Sequence, residues 1–504
     1  MGLFSKKSDH PMADLKSARE LLAEIPKNDA LKALQEVTVW IESVRADDEI
    51  RLNDRFAALR LLDETARPHE IKVTREYFST TAPSSFHENR LWTALNDFFT
   101  NLAEAYYEIL AGCREGEKGA SALKDDRTLI AVRGIHATMG RLKCAAVRYT
   151  PVETSIWEQL AEYYVHAETL HYLDEEFEFH GGNAADNSVR RRLAGVLLWW
   201  GTGTGSLKPL QIQLSERLTA HLSPYLDMGA DPGSDSLFIF NVVQPNPPAR
   251  YSKDTPPHPN LRFIKLGKVQ AQLESLIGSL EKGLVPGEVN LGGDYEAELV
   301  LETARRLAAN WLSAPPTRRT VRHSVKVPMR VVRGYAGVID QAYQYTDLVE
   351  NEAGEDWEAE DISASGFRCT LPSSRSGSVR VGLLLGFKPE NVKHWGTGIV
   401  RRLRRDEQNN LDIGVEVLAN QVVGITLREQ GGREDHSAVW LVKPGANNQE
   451  ELRLLIKPAS IDESSTLQAR IDSKRFLLIP KKVDEKGEDY DLTRYRKIEQ
   501  ETST

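Results

Sequence analysis

Cysteine is scarce in this chain of 504 residues, which contains only Cys113, Cys144 and Cys369. The three cysteines lie far apart and include no CxxC pair, which argues against a zinc ribbon and against a disulfide framework. Free thiols are typical of a reducing compartment. We therefore expect a cytoplasmic protein with no metal site.

The chain also lacks a long apolar run. Its amino terminus has no apolar core of signal-peptide length, and the run LAGVLLWW from Leu193 is far too short to span a bilayer. Export and membrane insertion are therefore disfavoured. The formal net charge of -9 argues against a broad surface for nucleic acid or anionic membranes, although a local basic patch can still bind an anion.

Strand-like alternation is nearly absent from residues 1–230. Apolar residues instead recur every three or four positions, as in ALKALQEVTVWIESVRA from Ala30 and in the segments that begin at Asn89 and Pro151. Such stripes predict amphipathic helices, and the short loops between them predict a helical bundle. A chain of this length is too long to fold around a single hydrophobic core, so we expect two to four domains.

Residues 231–315 are predicted to connect this bundle to the rest of the chain. Pro, Gly, Asp and Ser are frequent in the first part, which we interpret as a loop with a short strand or buried plug at LFIFNVV. Two helices are predicted after it, from about Lys265 to Lys282 and from about Asp294 to Ser313. Pro315 and Pro316 cannot continue a helix, so we place a domain boundary near Pro315.

After Pro316 the apolar period changes from 3.6 to 2. Alternating runs start at Val325, Phe367, Val379 and Leu411, with Gly, Asn and Asp turns between them. This pattern predicts a small antiparallel barrel over residues 316–430. Residues 431–504 are predicted as an additional β segment with a polar tail that frays. The expected fold is an all-α N-terminal half followed by an all-β barrel with extra C-terminal strands.

Three arginines, Arg318, Arg319 and Arg322, precede the first predicted strand. A guanidinium group is a planar fork that binds phosphate through two hydrogen bonds and stacks on flat rings. Further positive charge follows in the same segment, at His323, Lys326, Arg330 and Arg333. An arginine-bearing segment of this kind is suited to a ligand that carries both phosphates and bases.

A second motif, DxSxxG, consists of Asp361, Ser363 and Gly366 at the start of a predicted strand. A carboxylate accepts two hydrogen bonds side by side, which matches the adjacent N–H donors on a guanine edge. The serine hydroxyl donates or accepts, and glycine permits a positive φ and a close ligand approach. These residues are candidates for recognising guanine.

RxxxR before a first strand, followed by DxSxxG leading into a later one, resembles the PilZ domain family. PilZ domains are small β-barrels that bind the bacterial second messenger cyclic di-GMP. A later segment with Gly414-Val415-Glu416 in its returning strand also resembles a PilZ hairpin. The resemblance extends over residues 316–429, about a quarter of the chain.

The resemblance implies a role for each motif residue and for the whole chain. Arg318 and Arg322, with Arg319 beside them, would hold the phosphates and stack on guanine. Asp361 and Ser363 would contact a guanine edge, and Gly366 would allow the turn. The chain would then be a cyclic di-GMP receptor that relays binding to a helical module and a protein partner, with no catalytic residues, cofactor or nucleic-acid polymer.

The spacing departs from the family, because 38 residues separate Arg322 from Asp361. We assign the excess to an extended acidic hairpin in DQAYQYTDLVENEAGEDWEAE, which would weaken binding or act as a lid. Three alternatives stay open: a PilZ-like scaffold that has lost the nucleotide, an enzyme in the helical half around His166 to Glu176, and RNA binding by the β half.

Overall fold

The computed structural model describes residues 9–79, 84–177, 188–312, 323–343, 354–363, 365–442, 451–471 and 474–500. The chain divides into two compact units. The first consists of Met1–Arg148 and Val152–Pro315, and the second of Tyr149–Pro151 and Pro316–Thr504.

The first unit begins with a series of helices. Their bounds are α1 (Leu15–Ala23), α2 (Ala30–Arg45), α3 (Leu52–Tyr77), α4 (Ser85–Glu115), α5 (Arg127–Val147), α6 (Thr154–Thr169), α7 (Val189–Gly201) and α8 (Pro209–Leu222). Several start at a side-chain cap, as where Asp29 accepts from the backbone N–H of Lys32. The apolar stripe of α2 faces the core, since Leu34 and Ile41 are fully buried. The predicted all-α half is confirmed.

A small antiparallel sheet lies where the sequence suggested a loop with a plug. Its strands are β1 (Asp227–Gly229), β2 (Ser236–Asn241), β3 (Ala249–Arg250) and β4 (Leu261–Lys265), in the order β1-β4-β2-β3. Two helices follow, α9 (Val269–Leu280) and α10 (Ala297–Trp311). Helix α9 starts later than predicted, because Lys265 ends a strand that pairs with β2.

The second unit contains two closed antiparallel barrels. The first is built from β5 (His323–Arg333), β6 (Glu355–Ser363), β7 (Gly366–Leu371), β8 (Leu384–Pro389), β9 (Gly396–Arg405) and β10 (Leu411–Ala419). The strand order around the barrel is β10-β7-β6-β5-β8-β9. The alternation of Phe367, Cys369 and Leu371 predicted a strand with one buried face, and all three side chains are buried in the barrel core.

The second barrel follows directly. Its strands are β11 (Gln421–Glu429), β12 (Asp435–Val442), β13 (Glu451–Ile456), β14 (Leu467–Ile471), β15 (Lys474–Lys486) and β16 (Asp491–Glu499), in the order β11-β12-β13-β16-β15-β14. Strand β11 belongs here, although the sequence placed it in the first barrel. The tail expected to fray instead supplies β16, which pairs with β13 and β15 and buries Leu492 and Tyr495.

A helix, α11 (Gly334–Tyr343), lies between β5 and β6 in the chain, and its last residues, 340–343, are the first residues of the predicted acidic hairpin. Its buried apolar side chains, Tyr335, Val338 and Ala342, recur at helical spacing and pack with residues of both barrels. These neighbours include Leu384 and Ile399 of the first barrel and Val422, Leu441, Leu455, Tyr490 and Leu492 of the second. Residues 344–353 of the predicted hairpin lie outside the described residues.

Candidate functional site

Asp361 lies near the end of β6, directly opposite Arg368 of β7. Arg368 Nε donates a hydrogen bond of 2.8 Å to Asp361 Oδ2, and Arg368 Nη2 lies 3.1 Å from Glu360 Oε2. The hydrogen bond to Asp361 raises the pKa of Arg368. The carboxylate is 15% exposed and the guanidinium side chain 41% exposed, so the pair faces the barrel surface. An ionised carboxylate has about four acceptor positions and therefore has capacity for a ligand beside Arg368.

Ser363 and Gly366 hold the connection between β6 and β7. They face each other in the register, and Ser363 Oγ donates a hydrogen bond of 3.0 Å to the carbonyl oxygen of Gly366. The predicted positive φ at Gly366 is wrong, because Gly366 is not among the residues with positive φ. Glycine is required there for another reason: a Cβ atom would lie 2.3 Å from the carbonyl oxygen of Val415 in β10.

Arg318, Arg319 and Arg322 lie outside the described residues. The residue that follows them, His323, is the first residue of β5, and its backbone pairs with Ile362 of β6. The next pair in the register joins Ser324 to Asp361. The chain that leaves the motif arginines therefore enters the barrel beside the DxSxxG motif.

Three other basic residues of that segment, Lys326, Arg330 and Arg333, form ion pairs with β6. The pairs across the two strands are Lys326–Glu358 at 3.0 Å, Arg330–Asp356 at 2.7 Å and Arg333–Glu355 at 2.6 Å. These pairs reduce the positive charge that the three residues add to the segment. The acidic run that ends at Asp361 is the strand partner of β5, which places opposite charges face to face.

Sequence reasoning missed Arg368 and Arg402. Gly414 of β10 pairs with Arg368 of β7 on one side and with Arg402 of β9 on the other. Directly paired residues project from the same face of a sheet, so the glycine leaves a gap between two guanidinium-bearing positions. Among the described residues, Arg402 has no ion-pair partner. The alternation GFRCTL was the available signal, since it places Arg368 on the same face as Gly366.

The histidine cluster considered for an enzyme has a structural explanation. His166 Nδ1 lies 2.5 Å from Tyr172 Oη, and burial together with Arg127 and Arg114 lowers the pKa of His166 to about 4. Within the described ranges, no group of three or more His, Cys, Asp or Glu side chains is placed to hold a metal ion. The helices that the structure describes include none long and apolar enough to cross a membrane.

Comparison with known families identifies two parts of the chain. Residues 16–232 match the N-terminal domain of the cyclic-di-GMP receptor FimW, and residues 340–423 match the middle PilZ domain of the same receptor. No curated protein matches the chain. The prediction of a PilZ domain in the C-terminal half is confirmed, as is the succession of a helical half and β-barrels. The PilZ match includes Asp361, Ser363, Gly366 and Gly414, and it begins after the motif arginines.

Proposed function

We propose that this chain, which carries the N-terminal helical domain and the PilZ domain of the FimW cyclic-di-GMP receptors, is a bacterial receptor for cyclic di-GMP. The ligand binds at the edge of the first barrel where β6 meets β7. The observation that carries this assignment is the register, in which the strand that leaves the motif arginines pairs with β6 at Asp361. This register supports the proposal that phosphate-binding and guanine-binding groups act together at one edge of the barrel.

Each motif residue has a role in this proposal. Arg318 and Arg322 hold the phosphates, with Arg319 as an additional donor. Asp361 and Ser363 Oγ accept hydrogen bonds from a guanine edge, because the Ser363 hydroxyl already donates to Gly366. Gly366 lets β7 pack closely against β10. Hydrogen bonds to charged groups contribute about 1.5–3 kcal/mol each. Loss of two arginine contacts therefore weakens binding by at least about 100-fold.

The helical unit is proposed to receive the signal and to bind a protein partner. Residues 312–322 lie between α10 and β5 in the chain, and they include all three motif arginines. Ligand binding by these arginines, in the part of the sequence between the two units, is the proposed start of the relay. The proposed compartment is the cytoplasm, since Cys113, Cys144 and Cys369 are all free thiols.

Calorimetric titration of the full chain with cyclic di-GMP tests the assignment. The parent protein is expected to bind, and an Arg318→Ala/Arg322→Ala variant is expected to lose at least 100-fold in affinity. Arg330→Ala is the matched control, because Arg330 is a β5 arginine that pairs with Asp356 away from the motif. GTP serves as the ligand control.

A scaffold that has lost the nucleotide predicts a different result. The parent then gives no heat and no thermal shift with cyclic di-GMP, and the Arg318→Ala/Arg322→Ala variant behaves like the parent. Equal loss of binding in Arg330→Ala and in the motif variant would also contradict the proposed site, because it would indicate a general effect of positive charge.

A further inference from the structure

A polar cleft of about 260 Å³ lies in the helical unit, far in sequence from the barrel motifs. Helices α3, α5 and α8 provide its charged lining, which consists of Arg67, Glu70, Arg75, Lys143, Glu216 and Arg217. Four of these side chains are cationic and two are anionic. The cleft therefore has a surplus of two positive charges with His136, which also lines it, neutral.

The two carboxylates are already engaged by protein groups. Glu216 Oε2 accepts from Lys143 Nζ at 3.3 Å and lies 3.4 Å from Arg217 Nε. Burial raises the pKa of Glu216, but the positive charges of Lys143 and Arg217 have the larger combined effect, so the pKa is lower than usual. Glu70 accepts a hydrogen bond of 2.8 Å from Thr74. The two carboxylates therefore neutralise only two of the four cationic side chains, and the cleft keeps its excess of positive charge.

The positive charges are close enough to repel one another. Burial lowers the pKa of Arg67, and the neighbouring Arg217 and Arg133 lower it further. Glu70 and Asp63 raise the pKa of Arg67, but they do not return it to its ordinary value. Guanidinium groups from two different helices, α3 and α8, therefore converge on a partly buried space that favours an anion.

The loop after α9 completes the cleft. Arg75 Nε donates a hydrogen bond of 3.3 Å to the carbonyl oxygen of Gly292. Gly292 has a φ of +80°, and a Cβ atom there would lie 3.4 Å from Arg217 Nε. The glycine thus lets the backbone approach the cationic lining closely. Asn290 of the same loop also lines the cleft and adds an amide that can donate to an oxyanion.

We propose that this cleft binds the terminal phosphate group of a small phosphomonoester. The surplus of two positive charges matches a phosphate dianion, and planar guanidinium forks bind phosphate oxygens through paired hydrogen bonds. Apolar side chains of Ile71, Phe99 and Met139 line the same cleft and can contact the remainder of the ligand. This site is separate from the proposed cyclic di-GMP site on the barrel.

Phosphorus NMR line broadening and thermal unfolding of the full chain test the proposal, with inorganic phosphate and GMP as probes. Both are measured in the Arg318→Ala/Arg322→Ala variant, so that phosphate bound at the barrel motif does not contribute. Sodium chloride at matched ionic strength is the salt control. Binding of phosphate alone identifies a free phosphate site, and tighter binding of GMP identifies a nucleotide phosphomonoester.

Substitutions locate the site. Arg75→Gln changes an exposed residue, and we expect it to weaken phosphate binding about tenfold or more without loss of folding. Arg217→Gln is expected to do the same. Arg60→Gln is the control, because Arg60 lies on the same helix as Arg75 and pairs with Glu64 outside the cleft. Absence of a phosphate-specific effect, or an equal effect in Arg60→Gln, overturns the proposal, whatever the result with cyclic di-GMP.

Discussion

Arg368 and Asp361 form a cross-strand ion pair at the edge of the first barrel, with 2.8 Å between Arg368 Nε and Asp361 Oδ2. The pair orients the carboxylate of the DxSxxG motif at the barrel surface. It also adds a guanidinium group next to that motif, at a position that no motif predicted. Arg368 therefore lies where a ligand held by Asp361 would meet a further positive charge.

Asp361→Ala is expected to weaken cyclic di-GMP binding by about 10- to 100-fold, because it removes a charged acceptor from the site. Stability should change by no more than about 1 kcal/mol, since the pair with Arg368 is partly exposed. Calorimetry and thermal unfolding measure the two effects. Asp356→Ala is the matched control on β6, because Asp356 also pairs with an arginine, Arg330. Equal affinities of the two variants would refute a role for Asp361.

Gly366→Ala should destabilise the second unit by about 1–3 kcal/mol, because the new Cβ atom would press on the carbonyl oxygen of Val415. Strand β7 must then move away from β10. Denaturant unfolding of the full chain measures the free-energy change. Gly377→Ala is the comparison, since a Cβ atom at Gly377 has no heavy atom within 4 Å. A Gly366→Ala variant as stable as Gly377→Ala would contradict the close approach.

Leu492→Ala is expected to cost about 2–5 kcal/mol of stability, because Leu492 of β16 is buried in the cluster shared by the two barrels. Ile498→Ala removes a similar aliphatic side chain from the same strand, where Ile498 is 39% exposed. It should cost far less. Chemical unfolding of both variants gives the comparison. Similar costs would show that the C-terminal strand is not part of the core.

The stability of the helical unit should fall between pH 6.5 and pH 4, in part through His166. The folded pKa of His166, about 4, is below the ordinary value of 6.5, so the unfolded chain binds a proton first as the pH falls. His166→Gln is expected to reduce this slope. Unfolding midpoints across the pH range measure it, with His258→Gln, an exposed histidine of the same unit, as control. An unchanged slope in His166→Gln would be inconsistent with the lowered pKa.

Local patterns were sufficient for much of the fold. A helical period identified the helices of the first unit, and a period of two identified strands such as β7 and β10. The paired prolines at Pro315 marked the place where the two units divide. Motif order was sufficient to predict a PilZ domain. Each of these inferences uses only residues that are close together in the sequence. Helices and strands can be recognised in this way because side chains share a face every 3.6 residues in a helix and every two in a strand.

Local patterns did not reveal how distant strands meet. Strand β11 has the same type of apolar pattern as the strands before it in the sequence, yet it pairs with β12 and β14 of the second barrel. The polar C-terminal segment resembles a free tail, but its place between β13 and β15 makes it a core strand. Helix α11 was missed because its apolar stripe is short and an acidic run follows it.

The sequence by itself determined the two-part architecture, the PilZ motifs and the residue types of the candidate site. Only the tertiary structure decided which residues are in contact. It places Arg368 beside Asp361 and Gly366 against Val415, and it pairs Arg330 with Asp356. The physical reason is strand register, which is set by long-range pairing and turn geometry. A shift of two residues would keep Arg368 on the same face of the sheet but would pair it with a residue other than Asp361, and no local pattern in the chain reports that choice.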